Sequence, residues 1–130
     1  MEERIFTLTE AQRLLPVLRS LLEDIGSVWS RILELDPEIQ KARDKAQFDG
    51  FSEFGVEYVE LVSHLVTLLH HIKDMGVLLK DAGKGLCDFP YMRQGKVVYL
   101  CWQLGEDRIE YWHDIETGFA GREPLDETDQ

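Results

Sequence analysis

The last third of this 130-residue chain holds polar side chains of the kinds that bind metals and small ligands. A histidine beside one or two carboxylates can bind a divalent metal or carry out general acid–base chemistry. An arginine on a loop bounded by glycines can bind an anion through two parallel hydrogen bonds. We therefore predict a ligand site formed by Asp88, Glu106, His113 and Arg122, with a metal held by Glu106, His113 and Cys101.

A structural interpretation of the same residues stays open at this point. His113 would bond a backbone carbonyl, Glu106 would be a turn residue, and Arg122 would pair with a carboxylate on a helix, since ordinary ion pairs outnumber sites. The pairing of the last two strands bears on the choice. If position 101 pairs with position 111, then position 99 pairs with position 113, and His113 shares a face with Tyr99 and Cys101.

A second candidate metal site lies on a predicted helix. Glu60, His64 and His71 are spaced so that they line up on one face of the helix, where they could hold a metal at the seam of a dimer. The same spacing is typical of a solvated polar face, and it is not the Glu-x-x-His pattern of di-iron bundles.

The two cysteines form a third candidate. If a hairpin turns at Gln94-Gly95, Cys87 lies near position 101 or 102, and the two thiols could bind a metal, oxidise or remain buried and inert. The chain has no Cys-x-x-Cys motif and no other cysteine, so one chain cannot supply a complete thiolate zinc site.

The first half of the chain predicts two long helices that must position these groups. Thr7 and Glu10 have the spacing of a capping box, and the apolar residues that follow recur at alternating intervals of four and three, which is a heptad pattern. We expect an antiparallel helical hairpin: a helix over 8–35, a short connector helix over 38–47 and a helix over 52–81. The heptad residues are Leu14, Leu18, Leu21, Ile25, Val28, Ile32 and Leu35, then Phe54, Tyr58, Leu61, Leu65, Leu68, Ile72, Met75 and Leu79.

Each predicted helix also carries a third apolar row, which makes its apolar stripe wider than a two-stranded seam requires. Such helices need a further neighbour, either the C-terminal region of the same chain or a second copy of the hairpin. Because closed two-fold dimers are the commonest oligomers, we expect a homodimer through the hairpin. The third rows are Leu15, Leu22 and Trp29 in the first helix, and Val62 and Leu69 in the second.

A three-stranded antiparallel β-meander is predicted after the helices. Its first strand, 86–89, precedes Pro90 and is expected at an edge, because proline cannot donate to a neighbouring strand. A turn at residues 93–96 leads into strand 97–102, which is apolar on both faces as a central strand would be. Strand 109–114 completes the meander.

These elements predict a single α+β domain over residues 1–125. The helical hairpin with its connector occupies residues 1–82 and packs on the meander at 86–115, and a C-terminal loop follows at 116–125. Residues 126–130 are predicted to form a polar, frayed tail. The second face of the central strand must be covered by the C-terminal loop, a partner or a ligand.

Composition and charge exclude several classes of protein. The chain has 14 basic and 25 acidic residues, a net charge of −11, which is a poor match to a phosphate backbone, so we expect no nucleic-acid partner. No run of about 18 apolar residues is present to span a membrane. The opening residues Met1–Arg4 lack the apolar region of a signal peptide, which predicts a cytoplasmic protein.

Several short strings in the chain resemble those of one known family. They include Phe6-Thr7-Leu8, Leu14-Leu15-Pro16, Leu86-Cys87-Asp88-Phe89-Pro90, Val98-Tyr99-Leu100-Cys101-Trp102, Leu104-Gly105-Glu106, Trp112-His113 and Gly118-Phe119-Ala120-Gly121-Arg122. Over nearly its whole length the chain is similar to the bacterial family catalogued as domain of unknown function 2203. The resemblance implies a soluble, uncharacterised bacterial protein and supplies no activity.

Two functions remain open from the sequence. The first is a non-enzymatic interaction protein that dimerises through its helices and presents a surface at the sheet to a protein partner or a small ligand. The alternative is a protein that binds a metal or a small ligand, with a divalent metal as its cofactor and with catalysis left open. No nucleophile beside a base and no nucleotide loop is recognisable. Convergence of the polar side chains on one pocket that solvent reaches would favour the alternative.

Overall fold

The computed structural model describes residues 3–45 and 53–130, which form two long helices and a five-stranded sheet. The predicted α+β class is therefore confirmed. A one-turn 3₁₀ helix over Phe119–Gly121 lies between the last two strands. The helices are α1 (Leu8–Lys45) and α2 (Glu53–Asp74), and the strands are β1 (Leu78–Asp81), β2 (Leu86–Arg93), β3 (Lys96–Gln103), β4 (Tyr111–His113) and β5 (Glu123–Pro124).

Helix α1 begins as predicted but ends later. The amide of Thr7 donates to Oε1 of Glu10 at 2.8 Å, and the amide of Glu10 donates to Oγ1 of Thr7 at 3.0 Å, so the capping box forms. The helix then continues through Pro37, where its end was predicted. Leu33 and Pro37 are exposed, so water can satisfy the carbonyl of Leu33 that loses its donor.

The predicted connector helix over 38–47 is thus not a separate element, because α1 runs without a break as far as Lys45. The predicted start of the second helix at Ser52 lies outside the described residues. Neither helix in the described part of the chain is both long enough and apolar enough to cross a membrane.

Helix α2 is shorter than the predicted helix over 52–81. It ends at Asp74, and Gly76 then takes a φ of +87°, the left-handed conformation with which helices often end. The Nη1 group of Arg4 donates to the carbonyl of Met75 at 3.0 Å and closes this end. The heptad pattern was misleading at Leu79, which is apolar because it packs against the core from β1 rather than from a helix.

The two helices run antiparallel and contact each other along their heptad rows. Arg31 of α1 pairs with Glu57 of α2 at 2.9 Å, and Arg4, just before α1, reaches the residue just after α2. The third rows divide into two parts. Leu15 and Leu22 are buried by their own chain, whereas Trp29 is half exposed.

The sheet has five strands rather than the predicted three, and each strand is antiparallel to the next in the order β1-β2-β3-β4-β5. The short strands β1 and β5 flank the predicted meander. The prediction that β2 lies at an edge is wrong, because β2 lies between β1 and β3. Pro90 is tolerated there because β1 pairs only with residues 86–88 and stops short of it.

The pairing of the central strands agrees with the sequence. A two-residue turn joins β2 to β3, with φ of 52° at Gln94 and 80° at Gly95, as type I′ hairpins require. Tyr99 pairs with His113 and Cys101 pairs with Tyr111 in the following hairpin, which confirms the conditional pairing set out above.

This pairing separates the sheet into two faces. The helix face packs on α1 and α2 in the hydrophobic core, and no helix in the described part of the chain packs on the outer face. The helix face comprises Cys87, Phe89, Tyr91, Val98, Leu100 and Trp102, and the outer face comprises Asp88, Tyr99, Cys101, Tyr111 and His113.

The C-terminal tail is polar as predicted, yet it is hydrogen-bonded rather than frayed. The hydroxyl of Tyr91 donates to Oδ1 of Asp129 at 2.9 Å, and Arg93 pairs with Asp126 and Asp129 at 3.0 and 3.2 Å. The tail therefore packs along β2.

Candidate metal centre

The polar side chains of the outer face are buried although no helix lies against them. Asp88 is 2% exposed, Cys101 0% and His113 3%. Their cover comes from long side chains instead. The ammonium group of Lys80 lies 5.6 Å from the centre of the Tyr99 ring, and the loop over 114–122 brings Arg122 to within 3.8 Å of Cys101.

Three adjacent strands each supply one of these side chains. Asp88 on β2 pairs with Cys101 on β3, and His113 on β4 pairs with Tyr99, two residues before Cys101. Paired residues of antiparallel strands point to the same side of a sheet, so all three side chains meet on the outer face. A carboxylate oxygen, a thiol sulfur and an imidazole nitrogen consequently lie within 4.8 Å of one another.

The hydrogen bonds of His113 determine where its hydrogen lies. Nδ1 is 2.6 Å from the carbonyl oxygen of Asp114, and a carbonyl can only accept, so Nδ1 carries the hydrogen. The second ring nitrogen, Nε2, lies 3.0 Å from Oδ1 of Asp88. This is the orientation in which metal-binding histidines are usually held, with one ring nitrogen on a carbonyl and the other free to bind.

Oδ1 of Asp88 is buried, and its close polar neighbours among the described side chains are Nε2 of His113 and the Cys101 thiol. A neutral His113 with its hydrogen on Nδ1 presents a lone pair at Nε2, and a carboxylate presents lone pairs at Oδ1. Two lone pairs at 3.0 Å require a positive charge between them, either a proton or a cation.

Burial also controls the protonation of the acidic groups. Burial raises the pKa of Asp88, while the neighbouring His113 acts in the opposite direction. Burial raises the pKa of the Cys101 thiol to about 11, although the Arg122 guanidinium beside it lowers that value. Without a cation the thiol therefore keeps its proton at neutral pH.

Arg122 and Glu106 lie at the rim of the centre. The guanidinium donates through Nη1 to Oε1 of Glu106 at 3.4 Å and through Nη2 to Oε2, and it stacks on the rings of Tyr111 and Phe119 at 3.9 and 4.5 Å. Oε1 of Glu106 also accepts from the amide of Gln103 at 2.7 Å, as expected of a turn residue.

The structure therefore brings the predicted residues Asp88, Cys101, Glu106, His113 and Arg122 into one neighbourhood. It groups them differently from the sequence analysis, since Asp88 rather than Glu106 joins Cys101 and His113 in the compact set. A stronger signal was present in the chain. A two-residue turn at Gln94-Gly95 places Asp88 directly opposite Cys101, and this register could have been worked out from the turn.

The other candidates do not form comparable groups. Glu60, His64 and His71 are exposed on α2, and their side chains are not among the close sets of ligand atoms in the described residues. Cys87 pairs with Trp102 and lies on the helix face, so the sheet separates it from Cys101. Both thiols are free, and burial raises the pKa of Cys87 to about 12.

Comparison with known proteins gives a family and no activity. The family model described as "Uncharacterized conserved protein (DUF2203)" matches residues 4–125, which include every residue of the centre. No curated protein and no solved structure matches the chain.

Proposed function

The chain belongs to the family described as Uncharacterized conserved protein (DUF2203), and this description names no activity. We therefore propose a function from the geometry of the site. The protein binds a divalent transition-metal ion through Asp88, Cys101 and His113. One observation carries this proposal, namely that a buried oxygen of Asp88 faces Nε2 of His113 at 3.0 Å while donor atoms of Asp88, Cys101 and His113 all lie within 4.8 Å of one another. A metal ion between the two would satisfy both groups.

The donor set favours zinc over magnesium or calcium. Thiolate and imidazole donors suit zinc, whereas magnesium and calcium take oxygen donors alone. Asp88 and the deprotonated Cys101 together carry two negative charges, which balance the charge of a divalent ion.

The test is the metal content of the untagged protein, measured by inductively coupled plasma mass spectrometry. We expect near-stoichiometric zinc, or another divalent transition metal, in the wild type and its loss in Asp88→Asn and in Cys101→Ser. Cys87→Ser is the matched control, because Cys87 is equally buried on the other face of the same sheet. A wild type that holds no metal even after incubation with zinc would overturn the proposal.

Asp88→Asn is a better probe than His113→Ala. The asparagine keeps the size of the side chain and can donate to Nε2 of His113, so the fold is expected to persist while the charge needed for metal binding is lost. His113→Ala would leave the Asp88 carboxyl buried without its neighbour, and lost binding could then reflect unfolding alone.

Self-association through the helices is a second candidate function, favoured by an apolar stripe that the sheet leaves uncovered. A groove between α1 and α2 lies beside Trp29, and the β1–β2 turn at Ala82 and Gly83 forms one of its sides. Apolar side chains of both helices near this groove stay exposed. Trp29 is 50% exposed, Leu33 55% and Val59 63%. The uncovered stripe consists of Trp29, Leu33, Val59, Val62 and Val66.

A second copy of the chain would bury this stripe in a four-helix arrangement. Sedimentation equilibrium at micromolar concentration tests it, with a dimer expected for the wild type and a monomer for Val62→Glu. Ile115→Glu is the control, since Ile115 is an exposed apolar residue on the loop after β4. A wild type that is monomeric under these conditions would exclude this candidate and leave the metal centre untouched.

A further inference from the structure

The proposed metal centre has three protein donors, whereas zinc is usually four-coordinate. Solvent water is one source of a fourth donor, but Asp88, Cys101 and His113 are all almost completely buried. Glu106 is an acidic side chain that is linked to the centre through Arg122. The guanidinium donates to Sγ of Cys101 at 3.8 Å and to Oε1 of Glu106 at 3.4 Å.

Arg122 thus lies between two groups that both bind metal ions, a cysteine sulfur and a carboxylate. In this position the guanidinium is the cation that neutralises Glu106 while the centre is empty. We propose that Glu106 is the fourth ligand of the metal, and that Arg122 holds its carboxylate at the rim until the arriving ion displaces the guanidinium. This inference rests on the proposed metal-binding function.

The open coordination position of the ion favours the exchange. In the metal-free centre one proton lies on the Cys101 thiol and one between Asp88 and His113, so a divalent ion that replaces both leaves the charge of the centre unchanged. Three protein donors leave one position of a four-coordinate ion empty. A carboxylate oxygen of Glu106 can fill this position once Arg122 releases it.

The surroundings of Arg122 allow it to move. Its side chain is 17% exposed and that of Glu106 is 27% exposed, so both border solvent, unlike the three donors beneath them. Arg122 follows the one-turn helix in the loop between β4 and β5 and lies outside both strands. The guanidinium can turn outward without breaking the pairing of the sheet.

Titration with zinc alone, followed by competition with a chromophoric chelator, tests the inference. Arg122→Met keeps an apolar stem for the Tyr111 and Phe119 rings but removes the charge, and we expect zinc to bind about tenfold more tightly. Glu106→Gln still accepts the amide hydrogen bond of Gln103 but is a poor ligand, and we expect binding to weaken about tenfold. Both magnitudes are within the range of changes next to metal centres.

Arg93→Met is the matched control for Arg122→Met. Arg93 is 15% exposed at its side chain, lies 4.6 Å from the Trp112 ring and pairs with two aspartates, but it is not part of the centre. Its replacement should leave zinc affinity unchanged. Circular dichroism of the metal-free variants verifies that each is folded before titration.

A double-mutant cycle and cobalt substitution separate the outcomes. If Arg122 acts by holding Glu106, most of the tenfold gain should vanish when Arg122→Met is combined with Glu106→Gln. The visible absorption of the cobalt protein should also change in Glu106→Gln, because a ligand is replaced. Weaker zinc binding in Arg122→Met, or unchanged binding in Glu106→Gln, overturns this inference while the three-donor site stands. Absence of zinc binding in the wild type overturns the proposed function itself.

Discussion

Cys87 and Cys101 are two completely buried, free thiols on opposite faces of one sheet. Cys87 lies among apolar side chains such as Phe89 and Trp102, where it fills space as a small apolar residue would. Cys101 lies beside Asp88, His113 and Arg122. The comparison shows that burial alone does not identify a site. The site is identified by the side chains that the strand pairing places beside each cysteine.

The two faces also contribute differently to stability. The helix face removes apolar surface from water, which stabilises the fold. The outer face removes a carboxyl, an imidazole and a thiol from water, which is unfavourable unless their hydrogen-bonding groups are matched. Mutations on the first face should therefore reduce stability, and conservative mutations on the second should mainly reduce metal binding.

The largest effect is expected on the helix face. Phe89 is fully buried and meets Phe6 edge to face at 5.4 Å. Phe89→Ala should lower the free energy of unfolding by about 3–5 kcal/mol, measured by urea denaturation with circular dichroism. A loss below about 1 kcal/mol would contradict the view that this face carries the stability.

Zinc should stabilise the protein through the outer face alone. At a free concentration 100 times the Kd, a ligand that binds only the native state adds about 2.7 kcal/mol, which thermal denaturation detects as a raised Tm. The shift should occur in the wild type and in Cys87→Ser and be absent in Cys101→Ser. An equal shift in both serine variants would mean that zinc binds elsewhere.

Removal of His113 tests the cost of an unmatched group on the outer face. In the metal-free protein, His113→Ala leaves the carboxyl of Asp88 buried without its neighbour and should cost about 2 kcal/mol. The double variant Asp88→Asn/His113→Ala should recover part of this loss, since the amide carries no charge. Equal stability of the single and double variants in urea denaturation would show that the carboxyl is matched by another group.

The smallest effect concerns pH. Because burial raises the pKa of Asp88, its contribution favours the folded protein at acidic pH and is lost as the pH rises through the raised value. The free energy of unfolding of metal-free Asp88→Asn should therefore rise relative to that of the wild type toward neutral pH. The difference between the two proteins should become smaller below about pH 4. Leu100→Val on the helix face should differ from the wild type in free energy of unfolding by an amount that does not vary with pH. If the stability difference of Asp88→Asn is equally independent of pH, the raised pKa of Asp88 is contradicted.

The sequence predicts the elements that follow from local rules. The capping box at Thr7 and the turn at Gln94-Gly95 depend on neighbouring residues alone. The pairing of Tyr99 with His113 followed only on the condition that position 101 pairs with position 111. Longer-range features escaped it. Strand β1 was hidden because Leu79 continues the heptad spacing past Gly76, where the helix has already stopped.

The site was predictable by residue type but not by grouping. Asp88, Glu106, His113 and Arg122 were identified from their chemistry, yet a difference of one position in the β2–β3 pairing hid that Asp88 lies opposite Cys101. The contact of Arg122 with Glu106 depends on the loop over 114–122, whose conformation follows from packing rather than from a local pattern.

The placement of the three donors on three consecutive strands has a consequence for folding. Each strand can pair with its neighbour in more than one register, and a slip of one residue would send Cys101 to the helix face and scatter the donors. A metal ion that needs all three donors would bind only the correct register. The ion would therefore stabilise the native strand register over the alternative registers. Zinc supplied during refolding should then raise the yield of native protein.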